Sequence, residues 1–125
     1  MIDARELRIG NIVYFNNYEQ LDIDQIKTLT FIDFEQICYD KHANRFSPIQ
    51  LTQEILEKWC GFEKIDFDYF ELKAEKNYYC HIDELGFGFA LEHETFYICE
   101  YVHELQNLYF ALTGEELKVN YEKNI

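Results

Sequence analysis

One amphipathic segment near the C-terminal end constrains the fold of this sequence more than any other feature. The stretch "YVHELQNLYFAL" is closed two residues later by Gly114, a residue type that commonly ends helices. Apolar residues recur in it at helical spacing, namely Val102, Leu105, Leu108, Tyr109 and Leu112. We therefore predict a helix from about Tyr101 to Leu112 that packs this stripe against another layer of the fold. On its opposite face we expect His103, Glu104, Gln106, Asn107 and Phe110.

A second, shorter helix is predicted in the middle of the chain, from Leu51 to Cys60. Thr52 is a good N-cap residue, and Glu54 in the first turn suits the positive end of the helix dipole. Gly61 is positioned to end the helix in a left-handed conformation. The expected buried stripe consists of Leu51, Ile55, Leu56 and Trp59.

The remaining segments are typical of short antiparallel strands. The N-terminal candidates follow a turn at Gly10 and are "NIVYF", "EQLDIDQI", "TLTFIDF" and "FEQICYD", with a polar loop expected at 41–46. They predict a small curled N-terminal sheet of three or four strands. The C-terminal candidates are "YFELKA", "NYYCHI", "GFGFALE" and "TFYICEY". They predict a three- or four-stranded meander in which Phe87, Phe89 and Leu91 share one face, opposite Gly86 and Gly88.

These elements together predict an α+β fold with roughly seven or eight short antiparallel strands and two main helices. The length of 125 residues fits a single domain over 1–125. Residues 1–47 are the candidate for an N-terminal β subdomain, with the helix, the meander and the last helix in 48–125.

The charge of the chain is strongly negative and unevenly distributed. Twenty-four acidic residues against eleven basic ones give a net charge of −13, which disfavours binding to nucleic acid or to an anionic membrane. Between Asn77 and Leu117 there is no Lys or Arg. The same stretch contains eight acidic residues, which are Asp83, Glu84, Glu92, Glu94, Glu100, Glu104, Glu115 and Glu116. We expect the surface built from it to attract a basic partner.

The cysteines and the N-terminal segment predict a cytoplasmic protein with reduced thiols. The four cysteines, Cys38, Cys60, Cys80 and Cys99, form no CxxC pair. The N-terminal "MIDARELRIG" lacks the apolar core of a signal peptide, and uncharged runs are too short to span a bilayer. Cys38 with His42, and Cys99 with His103, are candidate zinc ligands by residue type, but the tight ligand pair of a structural zinc site is missing. We predict four free cysteines, no metal site and no cofactor.

The sequence offers no constellation that predicts an enzyme. It contains no GxxxxGK[ST], GxGxxG or HExxH motif, and its only serine, Ser47, precedes Pro48. Neither Cys99 with His103 nor Cys80 with His81 has an Asn or Asp at a spacing that would indicate an orienting third member of a catalytic triad. Carboxylate pairs such as Asp22/Asp24 and Asp66/Asp68 are expected by chance in so acidic a chain. We therefore predict no catalytic residues.

Three blocks of the sequence carry a resemblance to a known group of proteins. They are "ELRIGNIVYF", "PIQLTQEILEKWCGFEK" and "VHELQNLYFALTGEEL", in this order. The chain resembles an uncharacterised family of small proteins carried by phages, prophages and mobile elements. No established activity accompanies these blocks, so the resemblance implies a genomic setting in a bacterial host and not a reaction.

Charge and resemblance together predict a small acidic protein that binds another protein in the host cytoplasm. One hypothesis is an anti-defence inhibitor, such as an anti-CRISPR or anti-nuclease protein, that occupies a basic nucleic-acid-binding groove as a nucleic-acid mimic. The alternative is a non-inhibitory accessory or interaction protein of a phage. The residues predicted to bind the partner are Asp83, Glu84, Glu92, Glu94, Glu100, Glu104 and Phe110. The amides Gln106 and Asn107, by contrast, are expected to hydrogen-bond a neighbouring loop.

Overall fold

Two antiparallel sheets and two main helices build the fold, which is therefore α+β as predicted. The computed structural model describes residues 7–16, 24–33, 46–66, 69–72, 78–83, 86–91 and 97–121. Its elements in chain order are β1 (Ile12–Asn16), β2 (Asp24–Thr28), β3 (Phe46–Ser47), α1 (Gln53–Lys58), β4 (Phe62–Asp66), β5 (Tyr69–Leu72), β6 (Tyr78–Asp83), β7 (Gly86–Leu91), β8 (Tyr97–Cys99) and α2 (Val102–Thr113). The expected strand "FEQICYD" lies outside these residues.

The N-terminal sheet has the order β2-β1-β3, with both neighbours antiparallel to β1. Gly10 precedes it with a φ of 95°, a value that favours glycine, and its N–H donates to the Leu29 carbonyl at 2.9 Å. A small apolar cluster fills one side of this sheet: Leu7, Val13, Leu29 and Phe46. Phe46 was expected in a polar loop and lies instead in β3, where it packs on the Phe15 ring at 5.1 Å.

The prediction of a strand over "TLTFIDF" is wrong, because residues 31–33 are helical. The Thr30 N–H donates to Asp33 Oδ2 at 2.9 Å, and the Asp33 N–H points back to Thr30 Oγ1 at 3.4 Å. This reciprocal arrangement is a capping box, which starts a helix irrespective of β-favouring residues between its two ends. Lys27 reinforces it with an ion pair to Asp33 at 3.1 Å.

The helix α1 begins and ends where its capping residues predict. The Thr52 hydroxyl accepts the Ile55 N–H at 3.2 Å, and Gly61 has a φ of 77° just beyond the helix. The helix is shorter than predicted, Gln53–Lys58 against Leu51 to Cys60, because its ends form a cap and a turn. The expected stripe of Leu51, Ile55, Leu56 and Trp59 is buried.

The C-terminal sheet is a five-stranded meander with the order β4-β5-β6-β7-β8. The predicted meander lacked β4, whose sequence "FEKID" buries only Phe62 and therefore shows no alternation. The sheet packs its inner face on α2 through rings such as Phe89 and Tyr109, 5.8 Å apart. We define this inner face by its residues Phe62, Phe70, Leu72, Tyr78, Cys80, Phe87, Phe89 and Cys99.

The helix α2 buries a wider arc than the sequence predicted. Leu105 and Tyr109 are buried as expected, but Leu108 and Leu112 are only half-buried. His103 and Gln106 were placed on the solvent-facing side, and both are buried. The physical reason is that α2 contacts β7 and β8 along one side and β1 along another, so a single apolar stripe underestimates its buried surface. Gly114 ends the helix with a φ of 76°, as predicted.

A short extended segment joins the two sheets. The Leu51 N–H donates to the Glu100 carbonyl at 2.9 Å, and the Val102 N–H donates to the Ile49 carbonyl at 2.8 Å. Gln50 and Tyr101 lie opposite each other as an antiparallel bridge between these two bonds. The chain that leaves β3 therefore pairs with the chain that leaves β8, just before α1 and α2 begin.

Candidate binding surface

Phe110 lies in a contact with a base from the opposite end of the chain. The Arg8 guanidinium sits over the Phe110 ring, 4.6 Å from its centroid, and forms an ion pair with Glu116 at 2.6 Å. Arg8 Nε also donates to Asn107 Oδ1 at 2.7 Å. Arg8 therefore partly neutralises Glu116, one of the eight acidic residues of the stretch from Asn77 to Leu117.

The amides of α2 hold the helix on the N-terminal sheet. Gln106 accepts the Ile12 N–H at 2.8 Å and donates to the Gly10 carbonyl at 3.2 Å, although its side chain is only 2% exposed. Asn11 is buried beside it and donates to Asn107 Oδ1 at 2.8 Å. The prediction that Gln106 and Asn107 hydrogen-bond a neighbouring loop is confirmed, and they join helix and sheet.

Glu104 has a structural role at the start of α2. Its Oε1 accepts the N–H groups of Glu100 and Tyr101 at 2.8 and 3.0 Å. This capping box satisfies backbone donors that an α-helix leaves without intrahelical partners. Glu100 contributes a backbone donor to this cap, and its side chain is exposed.

The remaining residues predicted to bind the partner are not assembled into one surface by the described structure. Asp83 ends β6 opposite Gly86, and its side chain lies outside the description, as do Glu84, Glu92 and Glu94 altogether. Phe110 lies six positions after Glu104, so the two side chains point about 120° apart around α2. Phe110, which is 40% exposed, therefore does not share a face with the acidic end of the helix.

Sequence reasoning missed a second polar surface, the outer face of the five-stranded sheet. We define the outer face as Glu63, Asp66, Tyr69, Glu71, Tyr79, His81, Gly88 and Ile98, which alternate with the buried residues of the inner face. Strand register aligns them in two rows. One row runs through Glu63, Glu71 and Tyr79, and the other through Asp66, Tyr69, His81, Gly88 and Ile98.

Cross-strand contacts give this face a defined geometry. The Tyr79 hydroxyl donates a hydrogen bond to the Glu71 carboxylate directly opposite it. Desolvation, this bond and the negative charge of Glu71 raise the pKa of Tyr79, because all three favour the neutral phenol. In the other row the rings of Tyr69 and His81 lie 5.2 Å apart. Tyrosine, carboxylate and imidazole groups are thus held at fixed positions on adjacent strands.

The outer face combines negative charge with accessible apolar surface. Its described side chains include three carboxylates, those of Glu63, Asp66 and Glu71, and no Lys or Arg. Ile98 on the edge strand β8 is 58% exposed. Ile65 is the extra residue of a β-bulge in β4 and is 49% exposed. Such a mixture of acidic, aromatic and aliphatic groups suits contact with a protein better than contact with a phosphate backbone.

The described cysteines are buried, free thiols of the core. Burial, with a further contribution from the charge of Glu104, raises the pKa of Cys99 to about 12. Burial likewise raises the pKa of Cys60 to about 12 and that of Cys80 well above its usual range. A neutral thiol is a poor nucleophile, so these cysteines are unsuited to catalysis at neutral pH. Cys38 and His42 lie outside the described residues.

Within the described ranges, no group of three or more His, Cys, Asp or Glu side chains has a geometry that could hold a metal ion. None of the helices in these ranges has the length and apolarity needed to cross a bilayer. Comparison with protein-family models, with curated proteins and with solved structures finds no match for this chain.

Proposed function

We propose that the chain is a small acidic protein-binding protein of the phage or mobile-element type, and that it inhibits a host defence protein. Its target is a protein with a basic nucleic-acid-binding groove, such as a nuclease or a CRISPR effector. The role is non-catalytic, and it is exercised in the host cytoplasm. The protein binds neither nucleic acid nor membrane directly.

The observation that carries this proposal is where the base-free stretch lies in the fold. Residues 77–117 contain eight acidic residues and no Lys or Arg, and they supply β6, β7, β8 and α2, which are adjacent in space. The neighbouring strands β4 and β5 add Glu63, Asp66 and Glu71 on the outer face. Among the described residues, Glu100 and Glu104 lie at the start of α2, next to this sheet, and these carboxylates can steer a basic partner into contact.

The chemistry of such a surface favours inhibition by occupancy. Carboxylates on a rigid sheet can take the places that phosphates take in a basic groove, and an attached tyrosine contributes contact area at low entropic cost. Tyr69 and Tyr79 provide such rings beside the carboxylates of the outer face. The high pKa values of Cys60 and Cys99 also speak against a thiol enzyme.

Affinity capture from a bacterial host lysate tests the proposal. The captured protein is expected to be a nuclease or CRISPR effector with a basic groove, and its nucleic-acid substrate should compete with this chain. Binding should weaken as salt rises, chiefly through the association rate, because attraction between exposed charges is screened over a Debye length of about 8 Å.

Charge-reversed variants sharpen the same test. The double variants Asp83→Lys with Glu84→Lys, and Glu92→Lys with Glu94→Lys, should reduce binding without unfolding the protein. Lys58→Glu is the matched control, since Lys58 is exposed on α1, where it forms an ion pair with Glu54 at 3.2 Å. Capture of a phage structural or replication protein, without competition by nucleic acid, would favour the accessory role and contradict inhibition.

A further inference from the structure

We propose that the outer face of the five-stranded sheet is the contact surface, and that it recognises an arginine-rich segment of the partner protein. This inference rests on the proposed function, which it deepens by naming both the surface and the side chain bound. It differs from the surface predicted at the end of α2, where Glu104 caps the helix and Phe110 already holds Arg8.

The molecule contains an internal example of how it holds a guanidinium. Arg8 lies over the Phe110 ring at 4.6 Å while its NH1 and NH2 groups donate to the two carboxylate oxygens of Glu116, at 2.6 and 3.3 Å. In this fold an arginine side chain is therefore held by an aromatic face and a carboxylate together with two further acceptors, Asn107 Oδ1 and the Gln106 carbonyl, at 2.7 and 3.2 Å. The guanidinium is planar, so it can stack on a ring and donate two parallel hydrogen bonds at once.

The outer face repeats two parts of this arrangement, the ring and the carboxylate, at two places. Tyr79 lies directly opposite Glu71, and its hydroxyl donates a hydrogen bond to that carboxylate, which orients the carboxylate. Tyr69 lies directly opposite Asp66. Each pair therefore presents a ring beside a carboxylate, as Phe110 and Glu116 do for Arg8.

Charge complementarity fixes the chemistry of the occupant. The described side chains of the outer face are acidic or neutral, with no Lys or Arg, and the whole chain carries a charge of −13. A second copy of this chain or a nucleic acid would bring like charge to this face. A basic segment of another protein brings the opposite charge, and arginine exploits the rings better than lysine does.

Two peptides of equal charge provide the probe, nona-arginine and nona-lysine, each fluorescently labelled and titrated with the full chain at physiological salt. Fluorescence anisotropy measures the two dissociation constants. We expect nona-arginine to bind about fivefold more tightly or better, because stacking on tyrosine adds to the charge attraction that both peptides share. Sedimentation of the chain alone should show a monomer, because a second copy would bring like charge to the outer face.

Matched variants assign the preference to the surface. Replacing both rings, Tyr69→Leu with Tyr79→Leu, should abolish the preference for arginine while leaving nona-lysine binding almost unchanged. Tyr97→Leu is the control, since Tyr97 is exposed on β8 but alternates with Ile98 and so does not belong to the outer face. The double variant Glu63→Gln, Glu71→Gln should weaken the binding of both peptides. The control Glu57→Gln on α1 should weaken their binding less. Circular dichroism and thermal melts verify that each variant is folded.

The possible outcomes separate this inference from the proposed function. Equal binding of the two peptides overturns arginine recognition but leaves a basic partner in place. An arginine preference that survives in the folded Tyr69→Leu, Tyr79→Leu variant overturns the assignment to the outer face. Absence of binding by either peptide overturns both the inference and the proposed attraction to a basic partner.

Discussion

The two faces of the five-stranded sheet are made by the same strands but have opposite chemistry. Phe70, Cys80 and Phe89 on the inner face are fully buried against the helices. Glu71, Tyr79 and His81 on the outer face are direct sequence neighbours of Phe70 and Cys80 on the same strands and are half-exposed. Because side chains alternate along a strand, one pattern provides both a core and a surface available for recognition.

The opposite chemistry of the two faces indicates where this protein can carry an interface without losing stability. An apolar residue on the inner face contributes to folding through burial, which is worth about 25 cal/mol per Å² of apolar surface. A half-exposed polar residue on the outer face contributes little, since exposed ion pairs are worth about 0–1 kcal/mol. Substitutions on the inner face should therefore lower stability, whereas substitutions on the outer face should change binding with little effect on stability.

The largest effect is expected at Phe89 on the inner face. Phe89→Ala removes a ring that packs on Phe62, Tyr78 and Tyr109, so it should lower the free energy of unfolding by about 3–5 kcal/mol. Urea denaturation measures the change. Ile98→Ala on the outer face is the matched control and should cost about 0.5 kcal/mol. Similar losses for both substitutions would contradict the division between the faces.

The next largest loss of stability is expected in α2, which packs beneath the sheet, and two of its leucines can be compared. Leu105→Ala should cost about 2–5 kcal/mol, because Leu105 is fully buried in the main core. Leu108→Ala should cost less, since Leu108 only packs against the edge of that core. Equilibrium unfolding of both variants gives the comparison, and a larger loss for Leu108→Ala would show that α2 is rotated from the position described.

The third-largest loss of stability is expected for a buried polar contact on the side of α2 that faces the N-terminal sheet. Gln106→Ala leaves the Ile12 N–H and the Gly10 carbonyl without their side-chain partner in a buried site, so a loss of about 1–3 kcal/mol is expected. The exposed amide of Gln53 serves as a control, and Gln53→Ala should change stability by about 0.5 kcal/mol or less. Thermal and urea unfolding should agree; no difference between the two variants would refute the structural role of Gln106.

The buried thiol of Cys99 on the inner face should make the free energy of unfolding depend on pH. Its folded-state pKa is raised to about 12 from an ordinary value of 9.0, so the native state disfavours the thiolate. The associated stability is present below about pH 9 and is lost as pH rises towards 12, by about 1.4 kcal/mol per pH unit for one thiol. Urea unfolding at pH 8, 9 and 10 should show a shallower decline in Cys99→Ala than in the parent chain. Identical slopes would contradict the burial of a neutral thiol.

The smallest effect on stability is expected on the outer face. Glu71→Gln and Tyr79→Phe should each change the free energy of unfolding by about 0.5 kcal/mol or less, because both side chains are half-exposed. The same substitutions should weaken binding of nona-arginine, since they alter the carboxylate and the hydrogen bond that orients it. A substantial loss of stability with unchanged binding would reverse the roles assigned to the two faces.

Much of the fold was predictable because its signals are local. Thr52, Gly61 and Gly114 mark helix ends by their own conformational preferences, and the structure places caps or left-handed turns at all three. Where the prediction failed, contacts between distant segments or polar pairs decided the structure. The Thr30–Asp33 capping box outweighed β-favouring residues at 31–33, and the charged edge strand β4 gave no periodic pattern.

The candidate surface was less predictable than the fold, because it depends on strand register and on long-range pairs. No spacing in the sequence shows that Glu71 lies opposite Tyr79, since the pairing follows from how β5 meets β6. The sequence also does not show that Arg8 pairs with Glu116, which lies 108 residues away along the chain. Acidic composition pointed to a basic partner, but only the alternation of buried and exposed residues in the assembled sheet points to the outer face.

Methyl NMR of an isoleucine-labelled sample, titrated with nona-arginine, tests the central claim most directly. Ile98 lies on the outer face and Ile65 at its edge, whereas Ile9 and Ile32 are equally exposed in the N-terminal part and Ile49 is buried. The account predicts that the methyl signals of Ile98 and Ile65 shift on binding while those of Ile9, Ile32 and Ile49 stay in place. Shifts centred on Ile9 or Ile32, with Ile98 and Ile65 unmoved, would contradict it.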